Sequence, residues 1–306
     1  MPKKTGLRTA NLAADTDKKN YKQKVRVVRG FFPLLSFLLL CACSSAPKNP
    51  GEVYDLRNRS ESQLDLGNKE ADRGNYETAL LILDEARRGA VSADDPSLRI
   101  RTGLSRGNVL FALERGEEAA AAWENALEEA ERLGDRELAA VSRVYQARGR
   151  LLSDGGAASA QAVREEVRGE MAAIKDSQYT AFAYMVTGLA EKGLGRYAEA
   201  EAALNRSMAI HEKERNLGQA AYDWYLIASI RSLAGNYNGA RQALESAMAL
   251  DRRVENSYGL AADWRALGDI LKKAGQAGEA RQAYLRSAEI FRALGNDDEA
   301  AATENR

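Results

Sequence analysis

The sequence predicts an all-α solenoid of about six stacked αα-hairpins over residues 60–306. Three observations predict it. A small residue recurs at Gly67, Gly107, Gly149, Gly188, Ala228 and Gly268, in steps of 40, 42, 39, 40 and 40. Around these anchors other residues keep step: Ala twelve later (Ala79, Ala119, Ala200, Ala240, Ala280) and Gly seven later (Gly74, Gly156, Gly195, Gly235, Gly275). Only five Pro interrupt long segments rich in Ala, Leu, Glu and Arg, which favour helix. Self-similarity at such a period is how stacked helical repeats appear in sequence.

Each recurring residue has a physical reason. The anchor and the Ala twelve later are expected on two helices that cross closely, where a larger side chain would hold the backbones apart. The Gly seven after the anchor is expected to end the first helix, because only Gly takes the left-handed cap conformation without steric cost. An aromatic four before the anchor, at Tyr145, Tyr184, Trp224 and Trp264, is expected to fill space between hairpins. In unit one, Leu80, Ile82 and Leu83 supply the apolar side of the second helix. Unit two departs at its turn, where Glu114 replaces Gly and Gly116 comes late. Unit three is degenerate: Leu151-Leu152-Ser153-Asp154-Gly155-Gly156 leads into an Ala-rich helix with Gln161 where Ala is expected. Decay of the repeat, rather than a designed bend, is the expectation there, and the register over 150–175 stays open. Units four to six are regular, and the polar Asn296–Arg306 reads as a soluble cap. No unit buries its apolar face alone, so the hairpins must stack.

The pattern resembles the tetratricopeptide repeat, whose signature is an aromatic, Leu-Gly, then Gly-x-Tyr-x-x-Ala and a large apolar residue. The best copies are Trp264-x-x-Leu267-Gly268 with Gly275 and Ala280, and Gly188 with Gly195, Tyr197, Ala200 and Leu204. The family's basic period is about 34 residues; the spacing here is like that of its longer-helix variants. The resemblance implies a non-catalytic scaffold that binds a peptide or protein partner in a concave groove lined by the first helices. Counting from the anchors, that implies groove positions Arg101 and Asn108 in unit two; Arg143, Gln146 and Arg150 in unit three; Phe182 and Met185 in unit four; Tyr222, Tyr225 and Ser229 in unit five; and Arg265 and Asp269 in unit six. The groove is expected to be polar and basic in units two and three and aromatic in units four and five. The family's carboxylate clamp is not reproduced: Asn68 and Asn108 match its Asn positions, but Leu64 and Leu104 stand where a basic residue belongs.

Residues 1–42 read as a secretory leader. Nine basic residues precede or enter an apolar run, Phe31 to Cys43, too short to span a bilayer as a helix. The end of that run, Leu40-Cys41-Ala42-Cys43, resembles the bacterial lipobox, which implies cleavage before Cys43 and lipid on its thiol. Ser44, not Asp, follows, resembling the outer-membrane sorting signal of Gram-negative lipoproteins and implying a periplasm-facing protein. Residues 43–59, with Pro47, Pro50 and Gly51, read as a lipidated N-terminus and flexible tether.

The formal charge is zero, with 44 basic and 44 acidic residues, but the leader holds the basic excess. Residues 44–306 carry 35 basic and 42 acidic residues, a net of −7, which argues against nucleic acid as a partner. Both Cys lie at 41 and 43, and the one His is His211. No His/Cys metal site, Cys nucleophile or phosphate-binding Gly loop is expected, and no cofactor. His211 is expected at the surface, and the acid pairs Glu117-Glu118, Glu128-Glu129 and Asp297-Asp298 on solvated faces. The rival classes are a helical-platform enzyme such as a wall hydrolase, and a self-assembling structural lipoprotein.

Overall fold

The computed structural model describes residues 55–306, in which thirteen α-helices and no strand occur. The leader, Cys43 and the first part of the tether lie outside the described residues. Helix α1 begins at Asp55, so helix takes in the last residues of the stretch read from sequence as tether.

Six hairpins follow in chain order, and consecutive helices pack on each other throughout. They are α1 (Asp55–Asp72) with α2 (Tyr76–Ser92), α3 (Pro96–Ala112) with α4 (Gly116–Leu133), α5 (Arg136–Asp154) with α6 (Ala157–Glu170), α7 (Ser177–Gly193) with α8 (Tyr197–Lys213), α9 (Leu217–Leu233) with α10 (Tyr237–Arg253), and α11 (Ser257–Lys273) with α12 (Ala277–Ala293). A short α13 (Asp297–Glu304) buries Ala300 and Thr303 against the last hairpin. The expected polar cap is thus itself helical.

Turn chemistry explains the boundaries. Within hairpins, Gly74, Gly195, Gly235 and Gly275 take φ between 71° and 79°, as the spacing required. Glu114 holds the same conformation at φ 59° without being Gly, so unit two keeps the turn at some backbone strain. Between hairpins, a side-chain cap recurs: Asp95, Asp135, Asp176, Asn216 and Asn256 each accept a hydrogen bond from a backbone N–H of the following helix.

The anchors are crossing points. A Cβ placed on Gly67 would lie 2.7 Å from Leu83 Cγ, on Gly188 2.8 Å from Leu204 Cγ, and on Gly268 2.4 Å from Tyr284 Cε1. The backbone oxygen of the Ala twelve residues on is also close, 3.4 Å for Ala79 and 3.2 Å for Ala200.

Unit three is a complete hairpin with a corrected register. The cap Asp135 stands twelve residues before Ala147, as Asp95, Asp176, Asn216 and Asn256 stand twelve before Gly107, Gly188, Ala228 and Gly268. Ala147, fully buried, is therefore the anchor, not Gly149. Gly149 instead faces backwards, with a Cβ there 2.4 Å from the Trp123 ring of unit two. The left-handed turn residue is Gly155 (φ 62°), not Gly156, and the buried Ala is Ala160, not Ala at the position of Gln161. Where other units place Leu83, Trp123, Leu204, Leu244 or Tyr284, this one has Arg164, whose Nε donates to the buried Glu191 at 2.5 Å. An ion pair replaces an apolar contact, which is why the pattern faded there.

The coil winds tightly enough to meet itself. Gln219 Nε2, at the start of α9, donates to Asp72 Oδ1 at 3.1 Å, 147 residues away. Tyr258 of α11 packs edge-on to Tyr76 with ring centroids 6.2 Å apart, and its ring fills the space beside Gly74. The turn of the first hairpin therefore rests on the entry ends of units five and six.

Candidate functional site: the inner face and the buried seams

The first helices also touch one another across units, α1 with α3, α3 with α5, α5 with α7 and α9 with α11, and so line an inner face. Arg101 lies there beside Glu61, N to O 3.4 Å, and close to Tyr179 two hairpins on. Burial pushes the Tyr179 hydroxyl pKa up while the Arg101 charge opposes the rise. Asn108 is half-buried next to Tyr145, with its Oδ1 lacking a hydrogen-bond partner. Phe182 stacks on Tyr145 at 4.2 Å between centroids, across the boundary of units three and four. Tyr222 and Tyr225 form a near-parallel pair, 6.2 Å apart and 10° between planes. Tyr222 is the exposed one, at 39%; Tyr225 is half-buried, its pKa raised by burial and then by Tyr222. Ser229 is half-buried one turn further on.

Other predicted groove residues are placed differently. Met185 is 6% exposed and belongs to the core. Arg143, Gln146 and Arg150 do not join the inner face. Arg143 pairs with Glu131 at 2.5 Å and Glu170 at 3.5 Å, Gln146 donates to Glu124 at 2.7 Å, and Arg150 pairs with Glu166, all on the second helices α4 and α6. Counting from Gly149 instead of Ala147 displaced them by two residues, about 200° around a helix. Counted from Ala147, the inner-face positions of unit three are Val141 and Val144, both buried, and Arg148, half-buried beside Tyr145. Arg265 and Asp269 are engaged by the C-terminal cap: Arg265 pairs with Glu299 and lies 5.1 Å over the Phe291 ring, and Asp269 accepts from Tyr284 Oη at 2.8 Å and from Arg306. Leu64 and Leu104 are core residues, consistent with the missing clamp.

His211 is a correction. It is 6% exposed, and its Nδ1 lies 2.8 Å from Oδ2 of Asp223, itself 1% exposed. One period later the same two positions hold Asp251 and Asp263, and one further Phe291 and Thr303, all buried. These residues fill one equivalent place in successive seams, where the second helix of a unit packs on the first helix of the next. In the fifth seam two carboxyls face each other. Burial, then the Asp251 charge, pushes Asp263 up to about 9; burial pushes Asp251 up to about 6, opposed by the Asn256 amide donating to its Oδ1 at 3.0 Å. Asp263 therefore holds a proton at neutral pH and shares it with Asp251. The signal for this was in the sequence, in the 40-residue spacing of His211 with Asp251 and of Asp223 with Asp263, but polar residues among Glu, Lys and Arg gave no cue to burial.

No family model matches the chain, and no curated protein matches it. Among solved structures, the chain is similar to a Rap protein complexed with competence and sporulation factor, at 17% identity over 81% of this chain and 73% of that one, TM-score 0.56. It is also similar to PilW, described as a widely conserved type IV pilus biogenesis factor (19% identity, 79% of this chain, 97% of that one, TM-score 0.47), and to the apo form of RapI (14%, 80%, 95%, 0.46). Fold and first likeness agree: the described residues form a tetratricopeptide-like α-solenoid.

Proposed function

We propose that this protein is a lipid-anchored, non-catalytic scaffold of the bacterial cell envelope that holds a peptide or protein partner on the inner face of its solenoid and assists assembly of an envelope complex. The observation that carries the binding reading is the inner face itself. It presents exposed Tyr222 beside Tyr225 in one wall and the Tyr145–Phe182 stack in another. Large rigid rings concentrate binding energy at low conformational cost. The similar Rap protein was solved with a bound factor, which supports the same use of the fold. The envelope reading rests on the leader and on Leu40-Cys41-Ala42-Cys43, and places the protein on the periplasmic side of the outer membrane of a Gram-negative cell.

In-cell crosslinking followed by mass spectrometry identifies the partner, with Tyr222→Ala as the contrast. Because Tyr222 is the exposed member of the pair, the variant should melt within a degree or two of wild type and yet lose most of the crosslinked partner. Unchanged recovery by a folded Tyr222→Ala protein would remove the inner face as the docking surface. For the anchor, Cys43→Ser should leave the protein unprocessed or release it from membranes. An intact mass of the mature wild-type chain without added acyl groups would refute lipidation.

A further inference from the structure

Between α2, α3 and α4, on the side away from the inner face, lies a cavity of about 380 Å³. We propose that it is a binding site for a small phosphomonoester, separate from the partner-binding inner face.

The cavity lies where unit two, like unit one with Gln63 and unit three with Arg143, lacks the ring of the later units, and unit two has no side chain there at all. Four positions before the anchor, units four to six carry Tyr184, Trp224 and Trp264; unit two carries Gly103. A Cβ on Gly103 would meet only Ala122 O and Ala126 Cβ, each at 3.8 Å, so the space that a ring fills elsewhere is left empty. The change extends to the walls. In unit six the equivalent positions are Met248, Leu260, Leu267 and Ile290, all apolar, the first three in one cluster with Trp264. Here they are Arg87, Arg99, Arg106 and Glu129. Decay of a repeat that merely lost an aromatic would leave an apolar gap; this gap is lined with guanidinium groups from α2 and α3, with Glu129 as the one charge from α4.

The charges are not self-satisfied. The lining holds four arginines against Asp84 and Glu129, and Arg88 pairs with Glu85 beside it, so the excess is +1. Arg106 Nε donates to Asp84 at 2.7 Å and Arg99 pairs with Glu129. Yet Arg99 Nε is buried with no acceptor, and Arg87 makes no ion pair among the described residues. A buried N–H without a partner is costly, and a guanidinium fork matches phosphate oxygens two at a time. An anion with several oxygens would meet both the excess charge of Arg87 and the unpaired Arg99 Nε, and the volume is at the lower end for small-ligand sites. A phosphomonoester fits both. The same group occurs free and as a lipid headgroup.

Isothermal titration of the full-length chain in nonionic detergent tests this with glycerol 3-phosphate and with short-chain dihexanoyl phosphatidate. Both carry the same group. Tighter binding of phosphatidate marks a headgroup as the source, and equal or tighter binding of glycerol 3-phosphate marks a soluble ester; either supports the site. Arg87→Gln and Arg99→Gln should each weaken binding by about tenfold or more, the loss expected for a charge-assisted hydrogen bond. Gly103→Tyr, which restores the ring found in unit four, should abolish binding with no loss of melting temperature. Should that variant fold poorly, exposed Arg87→Gln still decides. Failure of both probes to bind at millimolar concentration, binding unchanged in Arg87→Gln and Arg99→Gln, or tighter binding of succinate than of either phosphate, would each overturn the proposal. None of these readouts involves Tyr222 or the crosslinked partner, so the inner-face reading stands or falls separately.

Discussion

Gly107→Leu should be among the most damaging single substitutions in this protein, lowering stability by about 3 kcal/mol and the melting temperature by roughly 6–12 °C. A Cβ on Gly107 would lie 2.2 Å from Trp123 Nε1. Usually a side chain met in this way can move. Trp123 cannot, because its other edge lies against Gly149, where a Cβ would come within 2.4 Å of Cζ3. The indole is clamped between the first helices of units two and three, and its N–H donates to Leu104 O at 3.2 Å. Moving the ring would therefore open the seam between hairpins and break that bond. Gly188→Leu should act in the same direction but less strongly, since Leu204 has rotamers in which to retreat. Gly155→Leu meets nothing within 4 Å and bears only the strain of φ 62°, about 1–2 kcal/mol. Thermal melts followed by circular dichroism give the order. Wild-type stability for Gly107→Leu would show that the anchor register is wrong.

The second large effect is on pH dependence. Asp263 has a folded-state pKa raised from 3.8 to about 9, and Asp251 one raised to about 6, in both cases chiefly by burial. A raised pKa means that the folded protein binds more protons than the unfolded chain. The stabilisation from the protonated pair is thus fully present below pH 3.8 and is lost as pH rises through 6 and towards 9. The difference in melting temperature between wild type and Asp263→Asn isolates this from all other titrations. Asn fits the space, donates to Asp251 as the protonated acid does, and does not ionise. Wild type should match or exceed Asp263→Asn near pH 5 and fall clearly below it by pH 8.5. A difference that stays constant between those two pH values would mean that the carboxyls do not share a proton. Asp223, raised by burial in the seam before, shifts the wild-type curve the same way but is common to both proteins.

Periodicity made the architecture legible without coordinates. Gly67, Gly107, Gly188 and Gly268 announced the crossings, because a missing side chain is a local requirement of close backbone approach. Gly74, Gly195, Gly235 and Gly275 announced the turns, because positive φ is a property of one residue. The same count placed Arg101, Asn108, Phe182, Tyr222, Tyr225 and Ser229 on the first helices, but it also took Met185, a core residue, for a groove position. Unit three did not follow from that count, since Gly149 and Ala147 both satisfied a small-residue rule, and only the cap at Asp135 and the contact of Gly149 with Trp123 separated them. That two-residue ambiguity moved Arg143, Gln146 and Arg150 to the wrong side of a helix.

What the sequence alone determined was whatever one helix or one turn requires: helix content, most hairpin boundaries and the close crossings. Only the tertiary structure decided what depends on which helices meet. It brought His211 against Asp223 and Asp251 against Asp263 inside seams, although each stands in a highly charged stretch. It wound the chain until Asp72 met Gln219, and it turned Gly103 from a missing aromatic into the floor of a basic cavity. The physical reason is that burial and pairing of charge are set by neighbours distant in sequence, so no local spacing encodes them.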